Sequence, residues 1–171
     1  MGAWGSGYFE SDLACDFWAR VRDTNTENPL QEIIDSLETA IRNEEGYLDI
    51  SDCEAATISS LLVIVFDSKK WFEESFNDKQ IPQFYKEEIN NFISRNQQQW
   101  DNEYKSKLYR VEEEQEDLNI SQLAGKALRG NLDPKTSEAS DLWSETEYFE
   151  EWKSTIQILL DRLEQISTSS K

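Results

Sequence analysis

The run from Cys53 to Phe66 is nearly all apolar, interrupted after Glu54 only by Thr57, Ser59 and Ser60. Read as a helix, it is apolar on most of its sides, and such a helix has to lie at the centre of a fold with other elements around it. Its most apolar part, Ile58 to Phe66, is too short to cross a bilayer, which takes about 20 residues. The rest of the chain must therefore supply the cover. Ser51-Asp52-Cys53-Glu54 reads as the capping box that opens the helix. The β-branched run Val63-Ile64-Val65 leaves a buried strand as the alternative.

The flanking segments repeat their apolar residues at helical spacing. Ser11 or Asp12 caps a helix with Leu13, Phe17, Trp18 and Val21 on one face. Asn28 as N-cap and Pro29 at the first helical position open a second, with Leu30, Ile33, Ile34, Leu37 and Ile41 together and Gly46 as its end. Trp71, Phe72 and Phe76 anchor a transition that Pro82 breaks. A long polar helix over roughly 83–111 carries Tyr85, Ile89, Phe92, Ile93, Trp100, Tyr104 and Leu108. Asn119 to Gln122 restarts a helix through Leu123, Ala124, Ala127 and Leu128, which Gly130 and Pro134 end. Ser140-Asp141-Leu142-Trp143 reads as a short helical turn whose Leu and Trp enter the core. Ser144 to Glu147 forms another capping box before a last helix with Phe149, Trp152, Ile156, Leu159, Leu160 and Leu163 on one face. The start, with Gly2, Gly5, Gly7, Trp4, Tyr8 and Phe9, is too rich in glycine for a helix and reads as an irregular arm pinned by Trp4 and Phe9. The expected fold is all-α: one domain of about six helices over 1–166, a longer charged central segment at 71–118, and a frayed tail at 167–171. Trp4, Phe17, Leu61, Trp143 and Trp152 are expected to be buried.

Charge and absences bound the chemistry. The 171 residues hold 17 Lys and Arg against 35 Asp and Glu, a formal net charge of −18, and no His. A chain without His has no Ser-His-Asp triad and no imidazole metal ligand. The charge excludes a direct non-specific grip on nucleic acid, which comes from Lys and Arg neutralising phosphates. No phosphate loop, zinc cluster or dinucleotide fingerprint occurs. The acidic run Glu112–Asp117 lacks the alternating ligands and central glycine of a calcium loop. Cys15 and Cys53 read as small buried hydrophobes rather than a disulfide framework. The first residues carry no signal-peptide pattern. Met1 to Ser6 fits the myristoylation pattern, but the acidic flank opposes the membrane contact that a single acyl chain would need. The expectation is a cytoplasmic protein with no cofactor, no metal and no membrane partner.

Gly2-Ala3-Trp4-Gly5-Ser6-Gly7-Tyr8-Phe9-Glu10-Ser11-Asp12, followed by Ala14, Asp16 and Phe17-Trp18, resembles the opening of the bacterial family DUF4259, a domain of unknown function. Glu54-Ala55-Ala56, Leu123-Ala124-Gly125-Lys126-Ala127-Leu128 and Ser140 to Glu145 with Trp152 are further matches. The segment from about Trp71 to Leu118 is longer and more charged than the family pattern. The resemblance implies a bacterial or phage origin. It transfers no activity and no functional residues.

Strong negative charge without catalytic groups suits a non-enzymatic protein that neutralises a basic protein partner, as an immunity protein or antitoxin does with a toxin or nuclease. A phage-type inhibitor or nucleic-acid mimic, whose carboxylates would imitate a phosphate array, is one alternative. A carboxylate-dependent hydrolase, whose acids would converge in a pocket, is another. The partner face expected from composition is Trp100, Tyr104 and Tyr109 beside Glu112, Glu113, Glu114, Glu116 and Asp117, since charge steers a partner and aromatic anchors hold it.

Overall fold

In a computed structural model, which describes residues 5–42, 46–112 and 114–169, the apolar run is a helix at the centre of the molecule. The described residues form eight α-helices, a π-helical turn and one short hairpin. The central helix is α3 (Ile50–Asp67), and 13 of its 18 residues are buried. Every turn of α3 meets another element, so the β-branched residues Val63 to Val65 are held helical by packing on all sides. Its cap is Asp49, whose carboxylate accepts the N–H groups of Ser51 and Asp52. The expected capping box two residues later is absent, because the Ser51 hydroxyl itself donates to Asp49.

Around α3 stand α1 (Asp12–Arg22), α2 (Pro29–Arg42), α6 (Ile120–Leu132), α7 (Glu138–Ser144) and α8 (Phe149–Ser169), with α4 (Lys69–Ser75) and α5 (Gln83–Gln99) closing the remaining side. The caps of α1 and α2 are those the sequence offers: Ser11 Oγ accepts from Ala14 N–H at 3.1 Å and Asn28 Oδ1 from Gln31 N–H at 3.2 Å. Asn119 and Gln122 form a complete capping box at the start of α6. Ser144, by contrast, ends α7, and α8 opens at Phe149. The α8 helix runs through Ser169, into the segment expected to fray, with the Ser167 hydroxyl donating to Leu163 O at 2.9 Å.

The expected long helix over 83–111 is corrected. Regular helix stops at Gln99, and Trp100–Tyr104 form a π-turn in which Lys105 N–H donates to Trp100 O at 3.0 Å. Beyond it lie two antiparallel strands, β1 (Tyr109–Val111) and β2 (Glu116–Leu118), in the register Tyr109↔Leu118, Arg110↔Asp117 and Val111↔Glu116. The mostly helical expectation therefore holds with two more helices than expected and a small hairpin. The physical reason is local. Glu112 and Glu116 would repel at the i, i+4 spacing of a helix, while Tyr109 and Val111 point inward on either side of exposed Arg110, the period of a strand. Leu108, assigned to the helical stripe, is instead 61% exposed.

The arm, residues 5–11, is irregular as expected, but its described anchors are Tyr8 and Phe9; Trp4 lies outside the described residues. The Tyr8 hydroxyl donates to Thr155 O at 2.6 Å. Phe9 stacks on Tyr85 with ring centroids 4.3 Å apart. A Cβ at Gly7 would crowd the Gln80 carbonyl oxygen, 3.1 Å away. Buried side chains from Tyr8 to Ile166 make one continuous cluster, which includes Phe17, Leu61, Trp143 and Trp152.

Candidate functional site

The face expected on the central segment is not assembled as the composition suggested. Trp100, Tyr104 and Tyr109 are all buried. Trp100 and Tyr104, four residues apart across the π-turn, face inward together, with their rings 6.0 Å apart and Trp100 stacked on Phe66 at 4.3 Å. Tyr104 shares hydrogen bonds with Asn28 at the start of α2. Tyr109 points into the core, where its hydroxyl is buried without a partner among the described residues and burial raises its pKa. These aromatics are core residues and cannot serve as surface anchors. Of the acids in the run, Glu112, Glu114, Glu116 and Asp117 are exposed, and Glu113 lies outside the described residues. Two are already neutralised: Glu114 by Lys126, and Asp117 by Arg110 at 3.2 Å.

A different acidic surface forms where the start of α3 meets α7. Leu48 and Ser137 make a parallel bridge, with Leu48 N–H donating to Thr136 O at 2.7 Å and Glu138 N–H to Leu48 O at 2.9 Å. The Glu138 carboxylate accepts Ile50 N–H at 2.8 Å. The Tyr47 hydroxyl donates to Asp141 at 3.3 Å. These bonds set Tyr47, Asp49, Asp52, Glu138 and Asp141 side by side. Neither contributing segment, 46–68 nor 136–152, contains a Lys or Arg. The Tyr47 ring remains 42% exposed.

Electrostatics mark the same place. Desolvation raises the Tyr47 phenol, and the charge of Asp141, the hydrogen bond to it and the charge of Glu138 push the same way. Asp52 is raised by desolvation and then by the negative charge of Asp49. Asp49 is lowered, chiefly by the Ser51 hydroxyl that donates to it. Sequence reasoning missed this surface because each acid looks ordinary alone. The available signal was the absence of any cation from two long segments. Among the described residues, no group of three Cys, Asp or Glu is placed to hold a metal ion. No helix among them is long and apolar enough to cross a membrane.

A second acid is set apart by burial. Glu54, one turn into α3, accepts a hydrogen bond from Ser11, the cap of α1. Burial pushes its carboxyl up to about 7, against the opposing pull of that bond. The neighbouring Cys53 thiol is pushed up to about 11 by burial and lies 3.3 Å from the Ser137 hydroxyl. Both cysteines are free thiols; Cys53 is buried and Cys15 half-buried.

The model of the family described as Domain of unknown function (DUF4259) matches residues 2–155. The chain belongs to the DUF4259 family. No curated protein and no solved structure matches it. The match spans the arm through the first turns of α8. The structure brings the DUF4259-like motifs into mutual contact: Ser11 meets Glu54, Ser140 Oγ donates to Leu132 O at 3.2 Å, and Trp143 stacks on Trp152 at 6.1 Å. In this member the Leu48–Ser137 bridge and the acids around it lie wholly inside the matched span, as does the central hairpin.

Proposed function

We propose that this DUF4259 protein is a non-enzymatic acidic binding protein that holds and neutralises a basic protein, in the manner of an immunity protein or antitoxin acting on a toxin in the cytoplasm. The observation that carries the reading is the surface of Tyr47, Asp49, Asp52, Glu138 and Asp141, whose carboxylates enter no ion pair among the described residues. Carboxylates facing solvent without ion pairs repel one another, and a cationic partner relieves that repulsion on binding. Tyr47 adds an amphipathic ring beside them, the kind of side chain that holds a partner after charge has steered it. This face takes over the role first expected of the central segment.

The test is capture from the cell of origin, with the immobilised full-length protein and mass spectrometry of what it retains. The expected partner is a strongly basic protein, released at about 0.5 M NaCl, where screening shortens the reach of charge to a few ångströms. Asp52→Asn combined with Asp141→Asn should lose it, and Glu112→Gln combined with Glu116→Gln should keep it. Retention that is indifferent to salt, or an acidic partner, overturns the reading. Loss only with the second pair returns the interface to the hairpin.

A further inference from the structure

The hairpin is a two-stranded sheet, so each strand has one outer edge. No backbone hydrogen bond outside the ladder satisfies either edge among the described residues. Such an edge is a row of donors and acceptors spaced to pair with another extended chain. The hairpin lies over α6, and a groove opens along each side. The β1 side meets α2 at a pocket of about 200 Å³ lined by Glu38, Ile41 and Arg42. The β2 side meets α8 across a groove of about 550 Å³, and no β1 residue lines it. Glu116 and Leu118 form its near wall, Gly125 and Leu163 its floor, and Ser167 and Thr168 its far wall.

Three features of the β2 groove bear on its occupant. Its floor is open because Gly125 carries no side chain, and Leu118 and Leu163 bound it with buried apolar atoms. Its charged lining is self-compensated at all positions but one: Lys126 pairs with Glu114 and Arg129 with Glu164 at 3.1 Å, while Glu116 has no ion pair among the described residues. Glu116 and Leu118 are two residues apart on one strand, so their side chains share a face.

We propose that this groove takes an extended segment of a partner protein as a third strand on β2, with a Lys or Arg opposite Glu116 and an apolar residue two positions away opposite Leu118. The backbone edge supplies the affinity, and the pair of facing side chains supplies the selection. A cation at the first position completes the one unpaired charge of the lining. An apolar side chain at the second occupies the space that Gly125 leaves open. The groove lies on other elements than the acidic face around Tyr47, so this inference stands or falls separately from the proposed function.

The probe is the capped peptide acetyl-Thr-Lys-Thr-Val-Thr-amide, titrated to about 5 mM into the full-length ¹⁵N-labelled protein, a range that detects millimolar binding. Amide resonances of Glu116, Asp117, Leu118, Gln122, Gly125 and Thr168 should shift and saturate. The same peptide N-methylated at its central residues, and one with Glu in place of Lys, should each bind about tenfold more weakly, a difference of about 1.4 kcal/mol. Gly125→Leu should fill the floor and abolish the shifts. Gly125→Ala should retain them, since a Cβ there comes no closer than 3.7 Å to Arg129. Equal binding of the N-methylated peptide sinks strand addition. Shifts confined to Tyr47 and Asp141, or no shifts at all, sink the groove as the site.

Discussion

Glu54 is a carboxyl one turn into the helix that the whole core surrounds. Its position is good for the fold only while it is neutral. With an ordinary value of 4.5 raised to about 7 in the folded chain, the folded state binds the proton more tightly than the unfolded one. The contribution is fully present below about pH 4.5 and is lost as pH rises through about 7. Chemical denaturation at pH 5 and pH 8 should therefore show the wild type losing about 2 kcal/mol more than Glu54→Gln, which keeps an acceptor for Ser11 at every pH. Equal slopes in the two proteins would show that Glu54 ionises freely in the folded state. Asp49 acts in the opposite sense in a lower window, because its pKa is lowered; its stabilisation is present above its ordinary 3.8 and disappears as the pH falls below it. Tyr109 shows a different compromise, an inward ring whose hydroxyl has no partner among the described residues. Ring packing outweighs the cost of that unpaired group.

At the scale of elements, α7 and α8 are joined by aromatic stacking more than by hydrogen bonds. Trp152 stands between Trp143 and Phe149, with both ring centroids 6.1 Å away and interplanar angles of 12° and 22°. Trp152→Ala should cost about 3–5 kcal/mol through lost transfer free energy and the cavity left behind. Urea unfolding followed by far-ultraviolet circular dichroism checks it, and an unmoved midpoint would remove the pair from the core. This much was legible in the sequence, because Trp152, Ile156, Leu159, Leu160 and Leu163 repeat at helical spacing. So were the caps Ser11, Asn28 and Asn119, each a short polar side chain directly before an apolar period. The π-turn was not legible: one widened turn leaves Trp100 and Tyr104 four apart, as an ordinary helix would. The hairpin was hidden because three residues are too few to establish a period of two. The acidic face was hidden for a further reason. Its two halves are some 90 positions apart in the chain, and the Leu48–Ser137 bridge with the bonds beside it joins them.

For the molecule as a whole, charge is a burden carried by the surface. Eleven of the 35 Asp and Glu side chains are held in ion pairs among the described residues, and most of those pairs are solvent-exposed and individually weak. Repulsion among the remainder exceeds what the pairs return. Raising NaCl from about 20 mM to about 300 mM should therefore stabilise the fold by about 1 kcal/mol, a rise of roughly 2–4 °C in the melting temperature by calorimetry. A fall would mean that the ion pairs outweigh the repulsion. The central helix has a consequence of another kind, in the order of synthesis. α3 is complete once residue 67 has been added, but α6, which covers one of its sides, begins at Ile120. At a ribosomal pace of about 5–20 residues per second, a helix with 13 inward-facing residues waits several seconds for its shelter. Nascent chains of this protein are exposed to aggregation over that interval, and a chaperone that recognises apolar helices has its substrate there.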